Sequence, residues 1–196
     1  MVLGSHNTMS YLPPTKWWQY ILRPVYRCQI KTLKQQIESG VTYFDLRIRE
    51  SKSNTWVFAH GCVTLKDSSL LQALNIINSR VNKATVRLIY EGKPNDVISS
   101  TFKTACRNIE QTYSNIQFVG GFAKQGWQRL YKFKGDDDSE PLQWVGSMQP
   151  MRTKGWWKHP WRYYGSLLPC LWAAMNNYKL YADPIADDKV VLLDFV

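Results

Sequence analysis

Apolar residues along this chain recur with two different spacings, which predict helices that alternate with strands. Leu70, Leu74 and Ile77 lie three or four residues apart, the spacing of the buried face of an amphipathic helix. The run ATVRLIY is instead rich in β-branched and aromatic residues, which favours a strand. These criteria predict helices at Tyr26–Ser39, Ser68–Val81, Val97–Tyr113 and Leu167–Tyr178, and strands at Val41–Ile48, Trp56–Ala59, Ala84–Tyr90, Ile116–Val119, Arg129–Phe133, Gln143–Gly146 and Val190–Val196.

The alternation of strands and helices predicts an α/β fold with a parallel sheet under helical cover. With 196 residues, the chain can build one domain with a substantial core, and no internal repeat or linker divides it. We therefore expect residues 1–196 to form a single domain.

The composition limits the class of partner. Lys and Arg number 25 against 15 Asp and Glu, which gives a net charge of +10 and favours an anionic partner. That partner is a nucleic acid, a phosphorylated small molecule or a lipid surface, and charge alone does not choose among them. The hydrophobic content of 44% excludes general disorder.

Targeting, metal and disulfide signals are weak. No stretch reaches the roughly 20 apolar residues that span a bilayer, and the N-terminus lacks the pattern of a secretory signal. We therefore expect a cytoplasmic protein or one released by another route. The four cysteines are widely spaced without CxxC pairs, which indicates reduced thiols. The acidic turn GDDDSE at 135–140 does not fit an EF-hand. No cofactor and no metal are predicted.

Polar residues lie at the ends of several predicted strands, and together they could act on a phosphodiester. In a parallel barrel, such residues converge at one mouth. One imidazole can remove a proton from a nucleophile, a second can protonate the leaving oxygen, and a guanidinium can bind the nonbridging oxygens. Read separately, each histidine could also be a hydrogen-bonded structural residue, and the Asp45/Arg47 pair a salt bridge.

Four blocks of sequence resemble the X-domain family of phosphatidylinositol-specific phospholipases C. They are GSHNTMSY at 4–11, YFDLR at 43–47, HG at 60–61 and LDF at 193–195. The blocks occur in the family's order and extend over nearly the whole chain. The resemblance implies a compact, irregular TIM-like barrel of the short, metal-independent bacterial type.

The resemblance also implies a role for each matched residue. His6 looks like the general base for the inositol 2-hydroxyl, and Asp194 looks like the carboxylate that orients it. Arg47 looks like the phosphate clamp of the metal-independent branch. His60 looks like the general acid for the diacylglycerol leaving group, supported by Asp45. The implied products are diacylglycerol and a cyclic inositol phosphate.

Some positions depart from the bacterial pattern. Asn7 matches calcium-dependent members, whereas bacterial members with the arginine usually carry Asp there. Glu91 lies about where the family often has a Lys or Glu ligand, and Arg87 or Lys132 are alternative sources of positive charge. Asn7, Arg87 and Lys132 are our substrate-binding candidates. The chain is also shorter than typical family barrels, so phosphodiester chemistry is better supported than specificity for inositol.

Two aromatic and basic segments suggest contact with a membrane. Bacterial relatives carry membrane-touching tryptophans at similar places, and the candidates here are Trp17, Trp18, Trp156 and Trp157. Tryptophan favours the headgroup level of a bilayer, and the neighbouring Lys and Arg attract anionic lipid. The alternative is that one tryptophan of each pair belongs to the core.

Two other functions remain open at this stage. The chain could be a non-catalytic lipid-binding or assembly module on the same fold. A nucleic-acid binder would use the positive charge and the tryptophans, but it leaves the four blocks unexplained. We therefore predict an anionic phospholipid such as phosphatidylinositol as partner, with peripheral membrane contact and no nucleic acid.

Overall fold

The computed structural model describes residues 2–51, 55–92, 96–122, 131–132, 142–144, 168–177 and 190–196. The strands are β1 (Val2–Ser5), β2 (Tyr43–Glu50), β3 (Trp56–His60), β4 (Val63–Ser69), β5 (Ala84–Tyr90), β6 (Ile116–Phe122), β7 (Tyr131–Lys132), β8 (Leu142–Trp144) and β9 (Val190–Leu193). The helices are α1 (Arg23–Tyr26), α2 (Leu33–Glu38), α3 (Leu70–Arg80), α4 (Asp96–Thr112) and α5 (Pro169–Asn176), and a 3₁₀ helix lies at Trp17–Leu22.

The strands form one mixed, curled sheet that makes part of a barrel. Its main path runs β7-β6-β5-β2-β1-β9-β8, and the neighbours from β6 to β8 along that path are parallel. The predicted α/β class is therefore confirmed. The structure describes a partial barrel rather than a closed one, because β7 and β8 are the two ends of the described path.

The strands β3 and β4 correct the prediction of a purely parallel sheet. They form an antiparallel hairpin on the side of β2, with β3 pairing antiparallel to β2 and β4 to β3. Only two residues separate β3 from β4, and a connection this short can join only antiparallel strands. Gly61 has φ +57°, a conformation that glycine adopts without steric cost.

Alternation along β2 separates the core from the interior of the curled sheet. Phe44, Leu46 and Ile48 belong to the main hydrophobic core, together with apolar residues from α2, α3 and α4. Asp45 and Arg47 lie between them in the sequence and therefore on the opposite face of the strand.

An apolar layer forms the floor of that interior. Tyr43 and Leu192 contribute to a second buried cluster, and Gly4 is in register with both of them. A Cβ on Gly4 would lie 2.8 Å from the Leu192 side chain, so the close approach of the strands requires glycine. Because side chains alternate, the residues two positions after Gly4, Tyr43 and Leu192 lie on the same side of the sheet and form the next layer. Those residues are His6, Asp45 and Asp194.

The predicted helix Tyr26–Ser39 is wrong in its first half. The chain is extended after α1, because the hydroxyl oxygen of Ser10 accepts hydrogen bonds from the backbone N–H groups of Cys28 and Gln29. A new helix, α2, begins after Thr32, whose side chain forms a capping box with Gln35.

Most of the other predicted helices and strands have boundaries that differ from the observed ones by a few residues. The predicted strand Ala84–Tyr90 is confirmed residue for residue, and the predicted helix Val97–Tyr113 becomes α4. The strand β4 was not predicted, because its second half, KDSS, is polar. Within the strands predicted at Arg129–Phe133 and Gln143–Gly146, the described residues belong to β7 and β8. The remaining residues of these two ranges lie outside the described residues.

Two general expectations can be compared with the structure directly. All four cysteines are free, as predicted; Cys28 and Cys106 are buried, and Cys62 and Cys170 are exposed. Among the described residues, no helix combines the length and the apolar character that crossing a bilayer requires.

Candidate active site

The pairing of β1 with β9 places His6 beside Asp194. Ser5 and Leu193 are in register, and the backbone N–H of His6 donates to the carbonyl of Leu193 over 2.8 Å. The next residue of each strand therefore enters the same part of the interior. His6 Nδ1 lies 2.6 Å from Asp194 Oδ1, and both residues are buried.

The contacts of His6 define its tautomer. Nε2 lies 2.7 Å from Nη2 of Arg47, and a guanidinium can only donate hydrogen bonds. Nε2 is therefore the accepting nitrogen, and Nδ1 carries the proton that is donated to Asp194. An imidazole held in this form has a lone pair on Nε2 that can take a proton from a nucleophile.

Three acceptors hold the guanidinium of Arg47. Nε donates to Asp45 Oδ2 and Nη1 donates to Glu91 Oε1, each over 2.9 Å, while Nη2 reaches His6. Arg47 is 1% exposed, so its charge has little access to solvent. Burial alone would lower the pKa of Arg47, but Asp45 and then Glu91 outweigh it and keep the pKa above its usual value.

Asp45 is the anionic centre of the site. Its carboxylate accepts hydrogen bonds from Arg47, from Arg87 over 3.3 Å and from the backbone N–H of Asn7 over 3.0 Å. Burial would raise the pKa of Asp45, but Arg47, Arg87 and His6 outweigh that effect and hold the pKa well below its usual range. The carboxylate that the sequence assigned to His60 thus contacts the two arginines instead.

His60 lies at the end of β3 and is oriented by a backbone group. Nδ1 donates to the carbonyl of Tyr26 over 2.6 Å. Burial, followed by the charge of Arg47, lowers the pKa of His60 to about 4. The rings of His6 and His60 are nearly perpendicular, with 6.1 Å between their centroids. This separation allows the two imidazoles to flank one phosphate group.

Asn7 is placed in an uncommon way. Its φ of +43° lies in the left-handed region, which Asn tolerates better than most residues. Both polar atoms of its side-chain amide are buried and have no hydrogen-bond partner. An amide left in this state costs about 1–3 kcal/mol.

The structure brings together some of the predicted residues and leaves others apart or outside its description. His6, Asp45, Arg47, His60, Arg87 and Asp194 converge on the interior of the sheet. Lys132 lies on β7 at the end of the sheet, where its backbone pairs with Val119. Trp156 and Trp157 lie outside the described residues.

Sequence reasoning missed two groups that support the site. The side-chain amide of Gln29 donates to the carbonyls of His6 and Leu193, which ties the ends of β1 and β9 together. The carbonyl of Tyr26 holds His60, and no sequence pattern reveals a backbone acceptor. Glu91 follows a strand directly, about where the resemblance placed a Lys or Glu ligand, and in the structure its carboxylate binds Arg47.

A further buried group could in principle hold a metal ion. Potential ligand atoms of His6, Cys28 and Asp194 lie within 4.8 Å of one another. His6 and Asp194 already form a short hydrogen bond, and burial together with Asp194 raises the pKa of the Cys28 thiol well above its usual value. The group therefore fits a protonated hydrogen-bonding cluster better than a ligand set.

The exposed surface of the 3₁₀ helix is strongly apolar. Trp17 is 84% exposed and Ile21 is 85% exposed, while Trp18 and Tyr20 are each about half exposed. For Trp17 the alternative of a core position is therefore excluded. The Lys16 ammonium lies 5.7 Å from the centre of the Trp18 ring.

Solved structures with a similar fold are bacterial phosphatidylinositol-specific phospholipases C. The enzyme from Listeria monocytogenes superposes with a TM-score of 0.63 at 15% identity, covering 99% of this chain and 87% of that one. A single-residue mutant of the Staphylococcus aureus enzyme gives a TM-score of 0.56 at 13% identity, covering 99% of this chain and 84% of that one. A double mutant of the same enzyme gives 0.57 at 14% identity with the same coverage.

At these identities the likeness establishes the fold and not the activity. No protein-family model and no curated protein sequence matches this chain. The chain therefore has a mixed α/β fold similar to that of these phospholipases.

The depressed pKa of His60 predicts a loss of stability in mild acid. The unfolded imidazole titrates near 6.5, whereas the folded one titrates near 4, so between these values the unfolded state binds more protons. Stability is unaffected by His60 above this window and falls as the pH drops through it. At pH 5 the expected loss relative to pH 7 is about 2 kcal/mol. Urea unfolding at both pH values measures it. If His60→Gln loses as much stability between these pH values as the unaltered chain, the loss does not come from His60 and its lowered pKa is contradicted.

Proposed function

We propose that this chain cleaves a phosphodiester in the manner of a phospholipase C, with phosphatidylinositol as the substrate and diacylglycerol and a cyclic inositol phosphate as products. The observation that carries the proposal is the placement of two imidazoles, with 6.1 Å between their ring centroids, beside the buried guanidinium of Arg47. The two imidazoles can exchange protons with substrate oxygens, while the guanidinium binds the phosphate between them.

The first half of the reaction is attack by a hydroxyl within the substrate. Nε2 of His6 accepts the hydroxyl proton as the oxygen bonds to phosphorus. Asp194, 2.6 Å from Nδ1, stabilises the imidazolium that forms. The hydroxyl takes the place of the Arg47 contact on Nε2, which releases one side of the guanidinium for a nonbridging oxygen.

The second half is departure of the diacylglycerol oxygen. His60 donates a proton from Nε2 to that oxygen as the P–O bond breaks. Because Nδ1 already holds a proton toward Tyr26, His60 must first become an imidazolium. Burial and the charge of Arg47 oppose this step, and a bound phosphate anion offsets that charge and raises the pKa of His60.

Asn7 is assigned a role in binding the substrate through its side-chain amide. Both polar atoms of its side-chain amide are buried without a hydrogen-bond partner, which costs free energy. A substrate oxygen or hydroxyl within its reach satisfies it, so the cost of leaving it unpaired favours binding.

The direct test is a headgroup-release assay on phosphatidylinositol vesicles, followed by ³¹P NMR. The proposal expects a cyclic phosphodiester as the first product. Release of phosphocholine from phosphatidylcholine at an equal rate would contradict the inositol specificity. Tight vesicle binding without turnover would favour the non-catalytic lipid-binding module.

Activity is expected without an added metal ion. Each carboxylate of the described site already faces a fixed cation or an imidazole: Asp45 and Glu91 bind arginines, and Asp194 binds His6. The charge that a calcium ion would supply to the phosphate is supplied by Arg47. Turnover is measured with excess chelator and then with calcium restored. A loss of more than tenfold that calcium reverses would contradict this prediction.

The tryptophans are expected to anchor the chain on a bilayer. Replacing Trp17 and Trp156 with alanine is expected to weaken binding to anionic vesicles, because indole rings favour the headgroup level. Cleavage of a soluble, monomeric substrate is expected to remain nearly unchanged, since binding to a bilayer is separate from the contacts made in the transition state. Vesicle sedimentation measures the binding. Unchanged vesicle binding would contradict the anchor, and a fall in thermal stability beside it would assign Trp156 to the core.

A further inference from the structure

The turn that carries His60 is held by hydrogen bonds from other elements. Arg49 donates to the carbonyl of Gly61, and Gln19 Nε2 donates to the carbonyl of Cys62 over 3.1 Å. The ring of His60 itself donates to the carbonyl of Tyr26. The orientation of this imidazole therefore depends on partners that are distant from it in the sequence.

Two of these three contacts come from one short segment. Gln19 belongs to the 3₁₀ helix and Tyr26 ends α1, which follows that helix without a break. Gln19 is 3% exposed, while Trp17 and Ile21, two positions away on either side, are 84% and 85% exposed. One face of the segment 17–26 thus presents an apolar surface to solvent, and the other face holds the His60 turn.

We propose that Gln19 is a positioning residue for His60 and that it transmits the docking of the apolar face on a lipid surface to the imidazole. The inference rests on the proposed function, in which that face meets a bilayer and His60 is the general acid. Docking fixes the segment at both Gln19 and Tyr26. A docked segment then holds the imidazole more firmly in the orientation that its hydrogen bond to Tyr26 already sets.

The side chain of Gln19 supports this role over simple packing. Its Nε2 donates a hydrogen bond to the carbonyl of Cys62, but its Oε1 is buried without a hydrogen-bond partner. An apolar side chain of similar size would fill the same space without this unpaired acceptor. The amide is therefore explained by the bond that it donates to the turn.

The test uses the ring ¹⁵N signals of His60 in the full chain, which do not require turnover. Gln19→Met keeps the size of the side chain and removes the donor. It is expected to shift the His60 signals and leave those of His6 in place. Tyr20→Met, on the same helix, is the matched control and is expected to change neither. Unchanged His60 signals in Gln19→Met would overturn the proposal, whether or not the chain is an enzyme.

A second arm needs no substitution at Gln19. Vesicles that contain phosphatidic acid, an anionic phosphomonoester without a headgroup hydroxyl to attack phosphorus, are expected to shift the His60 signals of the unaltered chain and to have no effect on Trp17→Ala. Vesicles that bind the unaltered chain without moving His60 would overturn the coupling. This arm remains decisive if Gln19→Met does not fold.

A kinetic arm connects the proposal to the reaction. Gln19→Met is expected to slow cleavage of the natural diacylglycerol ester about tenfold, the effect of losing one ordinary hydrogen bond. A substrate with a 4-nitrophenol leaving group, which needs little protonation, should be cleaved at the unaltered rate. Equal slowing of both substrates would assign Gln19 a merely structural role. No turnover in any variant, together with shifted His60 signals, would refute the proposed function and leave the positioning role intact.

Discussion

Replacement of His6 or His60 by alanine is expected to lower the rate of phosphodiester cleavage by about 10²–10⁴ for each residue, the usual contribution of a positioned acid or base. His6 accepts the proton of the nucleophile, and Asp194 stabilises the resulting charge. His60 donates to the leaving group. Removal of either imidazole leaves one proton transfer to water.

The leaving group distinguishes the two roles. A substrate that releases 4-nitrophenol needs little protonation, so the His60→Ala rate should recover in part. The His6→Ala rate should not recover, because attack still needs a base. The measurement is kcat/KM for both substrates with both variants. Equal recovery of the two variants would overturn the assignment of acid and base.

Replacement of Arg47 by methionine is expected to lower the free energy of unfolding by about 3–5 kcal/mol, as is typical when one partner of a buried ion pair is removed. Asp45 would keep Arg87 but lose its bond to Arg47, and Glu91 would lose its basic partner. Urea unfolding at pH 7 measures the change. Arg49→Met serves as the matched control, because the hydrogen bonds of Arg49 within the described residues go to the backbone carbonyls of Gly61 and Glu91 and not to a carboxylate. Its expected loss is about 1–2 kcal/mol.

A second substitution tests the cause. Adding Glu91→Gln to Arg47→Met removes one of the uncompensated carboxylates, so part of the lost stability should return. Equal stability of the single and double variants would mean that the Glu91 carboxylate is not destabilised by the loss of Arg47. A loss of less than 1 kcal/mol in Arg47→Met would contradict the buried ion-pair network itself.

One predicted strand is observed as expected, whereas one predicted helix is broken by a contact from a distant part of the chain. The strand Ala84–Tyr90 could be predicted from the sequence because β-branched and aromatic residues dominate it, and nearly all of its positions are buried. The helix Tyr26–Ser39 could not, because one hydroxyl group, on Ser10, holds residues 28 and 29 in an extended conformation. That hydroxyl lies 18 residues away in the chain, beyond the reach of any local pattern.

The same limit applies to the site. Strand-end position and the family resemblance predicted that His6, Arg47, His60 and Asp194 belong to one site, and the structure places them together. They did not identify the partners, since Asp45 contacts the arginines rather than His60, and a backbone carbonyl takes the place of that carboxylate.

The sequence by itself determined the class of fold and the chemical groups that face the interior, because both follow from local alternation and from residue type. Only the tertiary structure decided which group contacts which. The register of β1 with β9 places Asp194 on His6, and the register of β2 with β5 places Arg87 opposite Asp45. Such contacts join residues up to 188 positions apart, so they depend on how the strands pair, and no periodicity along the chain encodes that pairing.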